Sequence, residues 1–363
     1  MELFHRILQT AIQGGASDVH IKIDTPVIFR INRQLVAIEA PTPTEEWVNK
    51  VVSAIVPKHA IARLDADREV DFSYYVPGLG RFRTNVFQQR GQFCLAMRYV
   101  KTRVPSFEEL GLLETLKKIA ESPRGIVLLA GSTGCGKSTT LAAMIEHINA
   151  TFKKHIITLE DPIEYVFDDN QSVIEQREVG LDTQSFEMGL KHILRQDPDI
   201  IMIGEMRDAT SFTAAMSAAD TGHLVLSTLH TTNAAQSVTR ILDFFKADER
   251  EQVRRQLAST LQAVVCQRMV TTINGSVTPA LEIMINTPTV KKLMEENRLD
   301  KLPAAIETGI EDGMQNFNQA LFNLVKARKI TEKEALAKAT NPQALEMNFK
   351  GIFLDEARRI LGN

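Results

Sequence analysis

The nine residues GSTGCGKST, Gly131 to Thr139, constrain the fold more than any other part of this 363-residue chain. They follow the spacing G-x-x-x-x-G-K-[ST], in which a glycine-rich backbone curls so that its N–H groups converge on phosphate oxygens. Such a loop leaves a strand and enters a helix, and both are legible. Residues 126–130, Ile-Val-Leu-Leu-Ala, form a short apolar run closed by a glycine and read as a buried strand. Residues 138–148 carry Leu141, Met144, Ile145 and Ile148 at helical spacing. Gly131, Gly134 and Gly136 permit the dihedrals that the curl needs, and the helix N-terminus adds partial positive charge. Lys137 is placed to reach the β- and γ-phosphates and Ser138 to put its hydroxyl on Mg²⁺. The candidate nucleotide set is therefore Gly131, Ser132, Thr133, Gly134, Cys135, Gly136, Lys137, Ser138 and Thr139. The competing reading is a glycine turn with a chance lysine, and eight residues in pattern between strand and helix weigh against it.

The rest of the chain divides around this loop. Residues 1–101 are strand-rich: Val19, Ile21 and Ile23 alternate with polar residues, as do Val27, Phe29 and Ile31. A helical stretch over 47–55, a strand over 71–76 and a turn at Pro77-Gly78-Leu79-Gly80 follow. Residues 102–111 read as a linker, with Val104-Pro105 extended. The second domain, 112–363, alternates strands at 126–130, 156–160, 200–203 and 224–228 with helical patterns, which predicts a parallel sheet flanked by helices. From about residue 280 onward the pattern is helical, giving a helical C-terminal region over about 285–363. Phe317, Leu321, Leu324 and Val325, and later Ile352, Phe353, Ile360 and Leu361, have helical spacing suited to packing over the second domain, with a partner-docking surface as the other reading. The fold class is α/β.

With 44% hydrophobic residues each domain can bury a core. A net charge of −3 and 6% aromatic residues argue against a nucleic-acid groove. Cys94, Cys135 and Cys266 form no C-x-x-C pair, which argues against a zinc site. No apolar run approaches the roughly 18 residues of a membrane span, so a cytoplasmic protein without a direct span is expected. No N-K-x-D base-reading motif appears, which argues against a GTPase.

Hydrolysis needs acids near the loop. HIITLEDPIEY (155–165) ends in Glu160, Asp161 and Glu164, and DIIMIGEMRD (199–208) carries Glu205 where a P-loop protein ordinarily has an aspartate. Both follow strands whose carboxyl ends converge on the ligand crevice of a parallel sheet. One carboxylate can hold Mg²⁺ through water and another polarise the attacking water; the alternative is solvated loop acids. In TGHLVLSTLHTTN (221–233) His223 and His230 lie seven residues apart, so in a regular strand they point to opposite faces. His230, at the carboxyl end, is the better phosphate-facing candidate, and a structural hydrogen bond suits His223 equally well.

RFRTNVFQQRGQFCLAMRYV (81–100) reads as a hairpin turning near Gln89-Arg90. A turn centred there sets Arg81 opposite Arg98, with Arg81 and Arg83 on one face. Like charges facing each other are unfavourable without an anion nearby. A neighbouring subunit's triphosphate is one such anion, which makes these arginines fingers acting in trans; long side chains splayed into water are the other reading.

Taken together, GGASDVH, GSTGCGKST, TLEDPIEY, QREVGLDTQSF, LRQDPDIIMIGEMRD, TGHLVLSTLHTTNAAQ and GMQNFNQAL resemble the secretion-type ATPases, and more narrowly the PilT/PilU retraction motors of type IV pili. The resemblance implies an N-terminal PAS-like α+β domain, a RecA-like P-loop ATPase domain, and a homo-hexamer using ATP and Mg²⁺. It implies that Glu164 is the catalytic glutamate, and that Glu205 is the atypical acid that holds the metal with Ser138. It puts His223 and His230 in a nucleotide-serving His box, and Arg81, Arg83 and Arg98 near the nucleotide. It further implies action at an inner-membrane pilus platform protein, peripherally to the membrane. NTPTVKKLMEENRLDKL (286–302) lacks the A-I-R helix of PilT, and with FNQALFNLVKARKITEKEAL it is more similar to PilU, an accessory partner of a second retraction ATPase. A secretion or extension motor remains a rival, against which the absence of a tetracysteine insertion counts.

Overall fold

The computed structural model describes residues 1–31, 34–100 and 103–352 and divides into two compact units. The first comprises Met1–Arg103 with two later segments, Asp161–Val166 and Glu178–Gln184; the remainder forms the second.

In the first unit, strands β1 (Asp18–Lys22), β2 (Ile28–Ile31), β3 (Gln34–Ala37), β4 (Glu69–Val76), β5 (Gly80–Gln89) and β6 (Gln92–Val100) form one sheet in the order β3-β2-β1-β6-β5-β4. Every pairing is antiparallel. The helices Glu2–Gln13 and Glu45–Ile55 bury Phe4, Leu8, Val48 and Val51 with Val19, Phe29, Phe82 and Leu95 of the strands. Each such side chain contributes roughly 1.5–3 kcal/mol by leaving water. The β5–β6 hairpin turns one residue later than its sequence suggests. Arg90 and Gly91 both have positive φ (52° and 79°), so Gln89 pairs with Gln92 and Arg83, rather than Arg81, lies opposite Arg98. Positive φ at both central residues gives the two-residue turn whose twist matches the flanking strands.

The second unit is built on β7 (Gly125–Ala130), β8 (His155–Glu160), β9 (Val173–Glu178), β10 (Ile200–Ile203), β11 (Leu224–Leu229), β12 (Leu261–Thr271) and β13 (Val277–Ile285). Their order is β13-β12-β7-β11-β10-β8-β9, with β12, β7, β11, β10 and β8 parallel and β13 antiparallel to β12. Every residue of β7, β10 and β11 is buried, as a sheet covered on both faces requires. The expectation of helix from about residue 280 fails here, because β13 runs to Ile285; β9 and β12 are further strands that the sequence pattern did not single out. Beyond β13 the chain is helical, and the helix Phe317–Lys326 buries Phe317, Ala320 and Leu321. Phe353, Ile360 and Leu361 lie outside the described residues. The α/β architecture, with an α+β unit preceding a parallel-sheet unit with C-terminal helices, stands as expected.

Candidate nucleotide site

The phosphate loop leaves the carboxyl end of β7 and enters the helix Lys137–Thr151 through Gly136, whose φ of 87° places it in the left-handed region. Space as well as conformation demands glycine. A Cβ on Gly131 would lie 2.5 Å from Cys135 Sγ and 2.7 Å from the Gln267 carbonyl oxygen. Lys137 is buried, and its Nζ donates to the carbonyls of Gly131 (2.8 Å) and Ser132 (3.2 Å). Ser132, Thr133 and Gly134 are exposed at the crest, Cys135 is buried beneath them, and Ser138 and Thr139 are half-buried on the first helical turn.

Glu205 sits two residues past β10, at the same sheet edge. The side chains of β11 aim it: Ser227 Oγ donates to the Ile203 carbonyl and Thr228 Oγ1 to that of Gly204, both at 2.7 Å. One carboxylate oxygen of Glu205 accepts from Arg207 at 2.8 Å, and the other lies 3.3 Å from His230 Nε2. Burial acts to raise the Glu205 pKa, but Arg207, then His230 and Lys137, outweigh it and hold the carboxyl below its ordinary range. Lys137, Glu205 and His230 therefore share one field. His223 does not share it. Its Nδ1 lies 2.9 Å from the Ala218 carbonyl oxygen, before the start of β11. The six residues of that strand put it roughly 20 Å from the phosphate loop's edge. The nucleotide role expected for His223 is thus not available within its own chain. Glu160, at the end of β8, is buried and accepts from Thr158 Oγ1 (2.7 Å) and Gln176 Nε2 (3.2 Å).

Among the described residues no group of three or more His, Cys, Asp or Glu could hold a metal. The donor set suits Mg²⁺, which keeps several waters and needs only a hydroxyl, phosphate oxygens and one carboxylate reached through water. Ser138 and Glu205 fit those roles, the latter through water because both of its oxygens already have partners. Bound there, Mg²⁺ would neutralise charge on the β- and γ-phosphate oxygens.

The strand missed in the sequence supplies the loop's other wall. Gln267 of β12, 3% exposed, donates from Nε2 to the Cys135 carbonyl (2.6 Å) and accepts from Thr140 Oγ1 (2.9 Å), bracing loop and helix with one amide. Its neighbour Arg268 points to the opposite face. There its guanidinium lies 3.7 Å from the Phe317 ring centroid and donates to the Lys338 carbonyl (2.9 Å) and Thr340 Oγ1 (3.0 Å). A cavity of about 370 Å³ opens beside the loop, walled by Thr232, Gln267, Arg268, Met269 and Lys338. The sequence signal was there to find: LQAVVCQRMV is an apolar run rich in valine, but it follows a helix with no intervening turn residue.

The first unit holds the remaining candidates. Arg81 Nη1 donates to Ser73 Oγ (3.1 Å) and pairs with Glu178 Oε2 (3.2 Å), whose side chain is 5% exposed. The same Glu178 oxygen accepts from the Ile163 backbone N–H at 3.2 Å, fastening the segment that carries Glu164. Burial pushes the Glu178 pKa up, against the pull of the Ile163 N–H and Arg81. Glu164 itself is exposed and folds with this unit. Arg98 pairs with Asp18, and Arg83 is exposed, with no ion pair among the described residues. Glu178, like Gln267, was not singled out in the sequence.

The parallel order β12-β7-β11-β10-β8, with the phosphate loop leaving central β7, defines a P-loop α/β nucleotide-binding protein. The model of the type II/IV secretion system protein family matches residues 1–349, and the chain belongs to that family, within its PilT/PilU branch. It is 40% identical over 337 residues to the type IV pilus retraction ATPase PilT of Pseudomonas aeruginosa, covering 93% of this chain and 98% of that protein. Identity to the type IV pilus ATPase PilU of the same organism is 38% over 348 residues, covering 96% and 91%. The crystal structure of the pilus retraction motor PilT with bound ADP superposes with a TM-score of 0.87 at 40% identity, over 94% of this chain and 98% of that one.

Proposed function

We propose that this chain is an ATP-hydrolysing motor subunit of type IV pilus retraction. The observation that carries the reading is the shared field of Lys137, Glu205 and His230 at the carboxyl edge of the sheet, on a chain similar along nearly its whole length to pilus retraction ATPases. ATP binds at Gly131–Thr139. Mg²⁺ is held by Ser138 and, through water, by Glu205, and Glu164 activates the attacking water. The working form is a homo-hexamer in which arginines of one subunit stabilise charge on the next subunit's triphosphate. The ring lies in the cytoplasm against an inner-membrane platform protein. Domain bounds of 1–101, 102–111 and 112–363 belong to the same reading.

A second reading, an accessory ring subunit working beside a principal motor, is favoured by the stretch 286–302. There the helix Pro288–Glu295 carries VKKLME in place of the A-I-R helix of PilT. The test is pilus length over time in cells with labelled pili and this protein as the only retraction candidate. Shortening that disappears in a Lys137→Ala strain supports a self-sufficient motor. Pili that shorten only when a second retraction ATPase is restored support the accessory reading, and shortening unaffected by Lys137→Ala overturns both.

A further inference from the structure

The three N-terminal arginines are not equivalent, and the difference lies in what holds them. The register of the first sheet sets four residues in one row: Arg30 on β2, Asp18 on β1, Arg98 on β6 and Arg83 on β5. Asp18 is the only acid in that row. It is 8% exposed, while the Arg98 side chain above it is 64% exposed. Asp18 Oδ1 accepts from Arg98 Nε at 2.8 Å; Oδ2 accepts from Ser17 Oγ at 2.7 Å and lies 3.7 Å from Arg30 Nε.

A bond at Nε orients the guanidinium side-on and leaves its two terminal nitrogens to present as a fork, the part that meets phosphate oxygens bidentately. Arg81 is held in the opposite way. Its pair with Glu178 uses Nη1, which is also bonded to Ser73, and its side chain is only 22% exposed. Arg83 has no such partner among the described residues and faces Arg98 directly. If positive charge alone were needed at Arg98, a carboxylate beneath it would be counterproductive, since it cancels part of the field. A buried acid that engages only Nε keeps the cation and fixes its plane.

We propose that Asp18 is a positioning residue for hydrolysis: it orients Arg98 so that its terminal nitrogens meet the triphosphate held by a neighbouring subunit. The proposal rests on the reading above in which Arg98 acts in trans. A loosely held finger forfeits much of its effect, because small misplacements cost up to about a hundredfold in rate.

The test measures kcat and KM for ATP in the full-length assembled protein, for Arg98→Ala, Asp18→Asn, the double variant and Arg98→Lys, with thermal melts alongside. The expected result is a roughly tenfold or greater fall in kcat for Arg98→Ala and for Asp18→Asn, with KM little changed. The double variant should be no slower than Arg98→Ala alone. Arg98→Ala slow but Asp18→Asn at wild-type turnover would overturn the role of Asp18 and leave Arg98 standing. Independent, multiplying losses in the double variant would overturn it as well. Wild-type turnover in Arg98→Ala would overturn the trans reading and the proposal together. Should Asp18→Asn fail to fold, Arg98→Lys decides. A lysine keeps the charge without the fork, so turnover retained there would mean that orientation is not needed, and turnover lost as in Arg98→Ala supports it.

Discussion

The two units hold positively charged groups by different means. In the second unit the loop is shaped by backbone: Gly131, Gly134 and Gly136 all have positive φ, and a strand and a helix fix both ends. In the first unit the positive charge is carried by arginine side chains on a sheet surface, and each must be given its own restraint. Asp18 restrains Arg98, Glu178 restrains Arg81, and Arg83 has no ion pair among the described residues. A backbone cradle is built when the chain folds. A side-chain cluster is built only as well as its counter-ions allow, because long cationic side chains otherwise lose several rotors' worth of entropy on meeting a ligand.

Gly131→Ala should have the largest effect. The added Cβ collides with Cys135 Sγ and the Gln267 carbonyl, so the loop must move, and nucleotide affinity should fall about a hundredfold with roughly 1–3 kcal/mol of stability. Titration with a fluorescent ATP analogue checks it; wild-type affinity would show that the loop is not held as described. Next, Arg81→Ala should cost about 3 kcal/mol because it leaves Glu178 buried without its cation, whereas Arg83→Ala should stay within about 0.5 kcal/mol. Since burial already raises the Glu178 pKa, the native state holds its proton more tightly than the unfolded chain. The loss in Arg81→Ala should therefore grow as pH rises through the folded value. Equal denaturation midpoints for the two variants would erase the distinction between a sequestered and a presented arginine.

Gln267→Ala removes both halves of the brace, leaving the Cys135 carbonyl and the Thr140 hydroxyl without it, for about 1–3 kcal/mol. Denaturant melts with and without nucleotide measure it, and a loss seen only without nucleotide would mean that the ligand replaces the brace. A smaller effect than at Arg81 or Gln267 belongs to Asp18. Burial works to raise its pKa, but hydrogen bonds from Ser17 and Arg98 hold it below the ordinary value. Its contribution is present above about pH 4 and lost as pH falls through the folded value. Asp18→Asn should therefore lie below wild type by less than about 1 kcal/mol at neutral pH, since Arg98 is exposed and screened. The two stability curves should merge in acid; a gap that persists there would assign the effect to packing.

The backbone cradle was legible in the sequence almost in full, because its requirements are local: glycine spacing, an apolar strand before it and a helical pattern after it. Strand 200–203 was legible for the same reason, as four apolar residues ending at Gly204. What was not legible depends on contacts between distant segments. Gln267 and Thr140 are 127 residues apart, and β12 starts directly after the helix Arg250–Thr260 without a glycine or proline to mark the change. Arg81 and Glu178 are 97 apart, so nothing near Arg81 announces that its charge is already spoken for. The hairpin register was missed by one residue because Arg90, a residue with no special turn preference, takes the left-handed conformation beside Gly91. For His223 and His230, the placement at the two ends of one strand was itself legible in the sequence, and β11, Leu224–Leu229, lies between them.

Steady-state ATP turnover of the purified protein beside Lys137→Ala, both checked for folding, tests directly whether the phosphate loop is the site of hydrolysis. Lys137 is the buried cation that shares a field with Glu205 at the phosphate loop. Its removal should cut turnover by at least about a hundredfold while the fold stays intact. Turnover in the Lys137→Ala protein equal to that of the wild type would contradict the assignment of this loop as the site of hydrolysis.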